Sequence, residues 1–220
     1  MKLDDLILNQ TTRSFLDSYT AHPKQGVLLT GAKGAGLCTT AKALATSITS
    51  HSSNIMFVGP DEKGTISIER VRALYVETRS IRSERFAIVI DDVESMSHDA
   101  QNSFLKLLEE PVENVHFILT AHEPQMLLAT ILSRVQTLEV GKISQTASES
   151  LLRAHHVTTP TALQQMLFIA SGRPAELVRL AGNKDHFESE AKLVRLARDF
   201  LTTSSYERLA LISQVNGREE

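Results

Sequence analysis

The chain has one cysteine, Cys38, so it cannot form an internal disulfide. No group of cysteines and histidines has the spacing of a zinc site. His155 and His156 are adjacent, and adjacent residues do not share a helix face, which argues against a metal role for the pair. Basic charge is also scarce: 23 Lys and Arg against 26 Asp and Glu give a net charge of −3. A protein that bound nucleic acid over its whole surface would carry a basic excess, so any such role is local or shared with partners. No apolar run reaches the ~18 residues of a membrane span. The acids near the N-terminus are unlike a signal peptide, and the cytoplasm is the expected compartment. Internal repeats and low-complexity tracts are lacking.

What is present is ordinary globular material. Of 220 residues, 42% are hydrophobic and 22% charged, enough for one ample domain with a small appendage. Short helices are expected within residues 3–19, broken by His22-Pro23. Apolar runs at 26–30, 55–58, 86–90, 116–120 and 138–140 read as strands. Helical spacing occupies about 39–50, 66–81 and 98–110, the last stopped by Pro111. Strands alternating with helices imply an α/β fold with a parallel sheet covered on both faces. Beyond Gly141 no strand-like run remains, and several amphipathic helices are expected.

The first strand runs into a glycine-rich loop, residues 31–36. A phosphate loop of the form G-x-x-x-x-G-K-[ST] uses glycines so that backbone N–H groups can cradle phosphate. Its lysine meets the charge and its hydroxyl holds Mg²⁺. Gly31 and Gly36 have the right separation, and Gly34 lies between them, but the lysine position holds Leu37 and the hydroxyl position Cys38. Lys33 or Thr39 would have to substitute in an unorthodox active site. Backbone N–H groups and the helix N-terminus still allow residual nucleotide binding. The plainer alternative is a strand-to-helix turn that never held a nucleotide. Asp91-Asp92 end the apolar run at 86–90 in the manner of a Walker B motif. The first carboxylate would hold Mg²⁺ and the second would polarise water, with Asp92 one methylene shorter than the usual Glu. Here too a plain alternative exists, two acids that simply close a buried strand.

Residues 99–111, DAQNSFLKLLEEP, are similar to the A-x-N-A-L-L-K-x-L-E-E-P segment of clamp-loader AAA+ subunits. Ala100, Asn102, Leu105, Lys106, Leu108, Glu109, Glu110 and Pro111 match in order. HFILTAHEPQMLLATILSRVQ (116–136) resembles that family's sensor-1 strand and its S-R-C motif, with Val135 in place of Cys; ISIERVRAL (66–74) resembles its I-x-x-V/I-R-x-L helix. The resemblance covers about residues 20–182. It implies an AAA+ P-loop domain of three layers over 1–141, a small helical lid over 142–183 and part of a helical collar over 184–220, truncated or minimal.

Within that family, hydrolysing gamma/tau-like subunits keep the loop lysine, and many members carry a four-cysteine zinc module that is absent here. The resemblance therefore points to the delta-prime branch. It implies a stator without intrinsic ATPase activity that presents Arg134 to a neighbour's ATP. The implied degenerate nucleotide site comprises Gly31, Lys33, Gly34, Gly36, Leu37, Cys38, Thr39, Asp91 and Asp92, with no metal site. No cofactor is tightly required; ATP or ADP with Mg²⁺ would bind weakly here or at the neighbouring subunit. The sensor-2 arginine position falls on Ala175, and Arg173, followed by Pro174, is a poor substitute. Implied partners are gamma/tau and delta subunits in a hetero-pentamer, with the sliding clamp and primer-template DNA reached through the complex and no membrane. Arg195, Arg198 and Arg208 read as a solvated face. The alternatives are an active AAA+ ATPase with an atypical loop and an AAA+ protein of recombination or repair.

Overall fold

Five short apolar runs assemble into one parallel sheet in the computed structural model, which describes residues 2–78, 84–110 and 112–202. The strands are β1 (Gly26–Thr30), β2 (Ile55–Val58), β3 (Phe86–Ile90), β4 (Val115–Ala121) and β5 (Gln136–Glu139), in the order β2-β3-β4-β1-β5. Every residue of β1 and β3 is buried, as continuous apolar runs require when both faces are covered. The register aligns the strand ends. Thr30 lies beside Ala121 and Ile90 beside Leu119, so the segments that follow β1, β3 and β4 emerge at one edge.

Alternate residues of each strand feed two separate cores, the two-residue period of a pleated strand. Leu28, Ile88, Ile90, Phe117 and Leu119 face one layer, together with Phe104 and Leu74. Val27, Leu29, Val89 and Ile118 face the other, together with Leu16 and Leu44. The first layer is built from α3 (Ile68–Thr78) and α4 (His98–Glu109), which pack together; the second from α1 (Gln10–Ala21) and α2 (Leu37–Ile48). Phe104 of α4 meets Phe117 of β4 edge to face at 5.3 Å, a favoured geometry for aromatic pairs. Asn9 caps α1 by accepting from the Thr12 amide, and Ser97 caps α4 by accepting from the Ala100 amide.

Several boundaries differ from the sequence expectation. The second helix starts at Leu37 and not near residue 39, because left-handed Gly36 closes the loop and the next residue already turns. β5 starts two residues early and ends at Glu139, since pairing with β1 begins at Val27 and Gln136. α3 begins at Ile68, and its expected end at 79–81 lies outside the described residues, as does Pro111.

The chain divides into two compact units, Met1–Ile143 and Ser144–Glu220. The second holds α6 (Gln145–Ala154), α7 (Pro160–Ala170), α8 (Pro174–Gly182) and α9 (Lys184–Thr202); α5 (Ala129–Leu132) belongs to the first. α8 packs against α6, α7 and α9. Among the described residues no helix is long and apolar enough to cross a membrane.

Glu176 of α8 is only 3% exposed, and its carboxylate accepts from Arg179 and meets His186 Nε2 of α9 at 2.9 Å. Burial alone would raise its pKa, but the bonds from His186 and Arg179 outweigh burial and hold it below the usual range. The ionised form therefore stabilises the fold above the ordinary glutamate range, and that contribution fades as pH falls through the depressed value. Glu176→Gln should lower stability by ~1–3 kcal/mol at neutral pH. In urea titrations the gap to the native chain should narrow towards about pH 3; a gap independent of pH would contradict this.

Candidate functional site

The loop after β1 makes a tight glycine-rich turn whose apolar side chains enter the core. Ala35 N donates to Ala32 O at 2.9 Å, closing a turn. Gly34 and Gly36 take φ of 86° and 87°, left-handed values that side chains rarely adopt. Gly36 is the residue from which α2 springs, and Leu37, the first residue of that helix, is 2% exposed. Leu37 joins the core formed with Ala35, Ala41, Leu44 and Val140. A Cβ built on Gly31 would lie 3.3 Å from Leu37 Cδ2 and 3.1 Å from Val140 O. The leucine thus folds back beneath the loop, and residue 31 has almost no room for a side chain.

Cys38 stands half-buried one residue further on, beside Asp91 and Lys42. Burial, then a hydrogen bond to Asp91 and its charge, push the thiol up to about 11 against the opposing effect of Lys42. Cys38 is therefore a neutral thiol near pH 7. Thr39 sits half-buried in the first turn of α2. Lys33 lies exposed on the loop, and its charge acts on the Asp92 carboxyl.

The acidic end of β3 stands next to this loop. Asp91 Oδ1 accepts from the Thr120 hydroxyl at 2.6 Å, and the same Oγ1 accepts from the Asp92 amide at 3.0 Å. Asp92 adopts a left-handed backbone, φ 48°. Its carboxyl is raised above the usual range by burial first, then by the charges of Asp91 and Glu94, with His122 and Lys33 opposing. Glu94 turns inward. Its Oε1 accepts from the amides of His122 at 2.6 Å and Glu123 at 3.1 Å, while Oε2 is buried without a hydrogen-bond partner. The His122 ring meets Gly31 O through Nδ1 at 2.8 Å, and its Nε2 is 3.8 Å from Asp92 Oδ1. Thr120 and His122 were not among the residues singled out from sequence. Their signal was position alone, at the carboxyl end of a strand lying between β1 and β3. Among the described residues, no group of three or more His, Cys, Asp and Glu is placed to hold a metal ion.

Arg134 is not brought to this cluster. It follows α5 and precedes β5, whose first residue pairs with Val27 near the start of β1. The arginine thus sits at the amino edge of the sheet, and the loop lies at the carboxyl edge. The two are separated by the length of β1, about 16 Å at 3.3 Å per residue. Its guanidinium bonds Glu109 Oε1 at 2.8 Å and Thr130 O at 2.9 Å, with the side chain 35% exposed. Arg173 bonds the carbonyls of Ala170 and Ile169, the last turn of α7. Arg195 donates to Ala191 O, and Arg198 lies 3.7 Å from Asp199. Arg208 lies outside the described residues.

Comparison with known proteins adds the family. A family profile described as DNA polymerase III, delta subunit matches residues 38–144. The chain is 33% identical over 134 residues to DNA polymerase III subunit delta' of Bacillus subtilis, covering 60% of this chain and 40% of the relative. It is 30% identical over 152 residues to the delta' subunit of Pseudomonas aeruginosa, covering 67% and 46%. The chain is similar in sequence to the delta' subunits of DNA polymerase III. The delta-prime-like chain spans less than half the length of these two relatives. Among solved structures it matches a gamma subunit-related protein of Thermotoga maritima, with a TM-score of 0.52 at 19% identity over 93% of this chain and 77% of the other. It also matches the RuvB Holliday junction branch migration motor of the same organism, with a TM-score of 0.68 at 14% identity over 98% and 84%. These two likenesses establish an α/β AAA+ fold, as expected from sequence.

In this delta-prime-like chain Leu37 is a core residue. Leu37→Ala should lose ~2–4 kcal/mol in urea unfolding, as other buried leucines do. An unchanged midpoint would mean that the side chain does not fill the loop interior.

Proposed function

We propose that the chain serves in DNA replication as a non-hydrolysing stator of the polymerase III clamp loader, supplying Arg134 to ATP bound by a neighbouring subunit. The observation that carries this reading is the placement of Arg134 at the sheet edge opposite its own phosphate loop. An arginine so placed has no use for its own loop, and its side chain, 35% exposed beside Glu109, is within reach of whatever adjoins the amino edge.

The residues of the loop do not fit catalysis of ATP hydrolysis. Leu37 fills the space beneath the cradle where an ammonium would be needed, and a neutral thiol stands where Mg²⁺ needs a hydroxyl. No step is therefore assigned to this loop. Backbone N–H groups remain, and weak binding of ATP or ADP there is compatible with the reading.

The guanidinium is available at little expense. An exposed ion pair such as Arg134 with Glu109 is worth ~0–1 kcal/mol, so a phosphate can replace the carboxylate. An arginine delivered in trans raises phosphoryl-transfer rates by about 10³–10⁵ in comparable systems. The partners under this reading are gamma/tau and delta subunits in a hetero-pentamer, with the sliding clamp and primer-template DNA engaged through that complex in the cytoplasm. Residues 142–183 then serve as lid and 184–220 as part of the collar. The likeness to the branch-migration motor lies at 14% identity and supports the fold alone.

The test is the DNA-stimulated ATPase of the complex reconstituted with gamma/tau and delta. Arg134→Ala should abolish the turnover of the adjoining site with assembly intact, while Glu109→Ala, which removes only the intramolecular partner, should leave turnover unchanged. Equal effects of the two substitutions would reduce Arg134 to a surface ion pair. The isolated chain should show no MgATP turnover above background; brisk turnover would favour an active ATPase working through Lys33 or Thr39.

A further inference from the structure

Gly31, the first residue of the loop, is held from several sides. A Cβ at this position would lie 3.1 Å from the carbonyl oxygen of Val140 and 3.3 Å from Leu37 Cδ2, so both crowd the residue. From the carboxyl edge, the His122 ring reaches its carbonyl oxygen at 2.8 Å, although the two residues lie 91 positions apart in the chain. A carbonyl can only accept, so Nδ1 carries the proton and Nε2 is left facing Asp92 Oδ1 at 3.8 Å. The backbone of His122 is itself anchored, because Glu94 Oε1 accepts its amide and the next one. The acid behind His122 thus fixes the turn that carries the ring.

We propose that His122 is a positioning residue that staples the glycine-rich loop to the acidic end of β3 and the end of β4, holding the loop in shape through bonds between protein groups. The need for such a staple is physical. A loop with glycines at 31, 34 and 36 has unusual backbone freedom, which a bound phosphate would otherwise restrain. In this chain the restraint comes from inside, from the residue just past the end of β4, the strand between β1 and β3. The inference goes beyond the trans-acting role of Arg134, since it concerns the chain's own loop and holds whether or not a neighbour is served.

Three substitutions in the full chain separate this from a general packing role. His122→Asn keeps an N–H donor at the δ position, His122→Gln moves the donor one bond further out, and His122→Leu removes it. Loop opening is read by trypsin cleavage after Lys33, quantified by mass spectrometry, and by hydrogen exchange of the amides at 31–36. The urea midpoint reports global stability. The Leu and Gln variants should speed cleavage at Lys33 and loop exchange by about fivefold, the factor expected for loss of one hydrogen bond. The Asn variant should stay within about twofold of the native chain. Native cleavage and exchange rates in His122→Leu, or equal behaviour of the Asn and Gln variants, would overturn the proposal. Should the Leu variant unfold globally, the Asn and Gln comparison decides by the same criterion.

Discussion

Parallel strand pairing is the constraint on which everything else in this molecule rests. Parallel neighbours need crossover connections, so every strand of the sheet runs the same way and every strand end of one kind reaches the same edge. β1, β3 and β4 are adjacent, and their carboxyl ends deliver Gly31, Asp91 and His122 to one place from distant parts of the chain. The same rule sends Arg134 to the opposite edge, beside Glu109 at the end of α4. A single topological fact therefore both assembles the loop cluster and denies it the arginine.

The loop between β1 and α2 is shaped by backbone geometry and core packing together. Left-handed Gly34 and Gly36 are required by the turn from β1 into α2, whatever the loop holds. Leu37, the first residue of α2, is part of the core. An ammonium at a place 2% exposed would carry a heavy desolvation penalty without a phosphate to meet it, whereas a leucine gains by burial. Polar order at the mouth of the loop is kept by Thr120, Glu94 and His122, whose bonds run between protein groups.

Much of the fold was legible in the residues. Continuous apolar runs marked β1, β2 and β3 to the residue, because strands buried on one or both faces here carry no polar interruptions. β5 was harder, since only Leu138 among its four residues is buried and the pairing that defines it begins at a polar Gln136. The start of α2 lies earlier than the loop motif suggests, because the backbone has already turned helical at Leu37 and Cys38. The loop and the acidic pair could be read from spacing. His122, Thr120 and the inward turn of Glu94 could not, since their roles depend on strand register. The contact between Arg134 and Glu109 spans 25 residues and has no local signature.

The trans-acting role proposed for Arg134 depends on where its guanidinium points once the chain is assembled. A cryo-EM map of the complex reconstituted with gamma/tau and delta and a non-hydrolysable ATP analogue addresses that directly. Arg134 should leave Glu109 and lie within hydrogen-bonding distance of the γ-phosphate on the neighbouring subunit. A map in which Arg134 remains paired with Glu109, with no nucleotide at the adjoining surface, would contradict it.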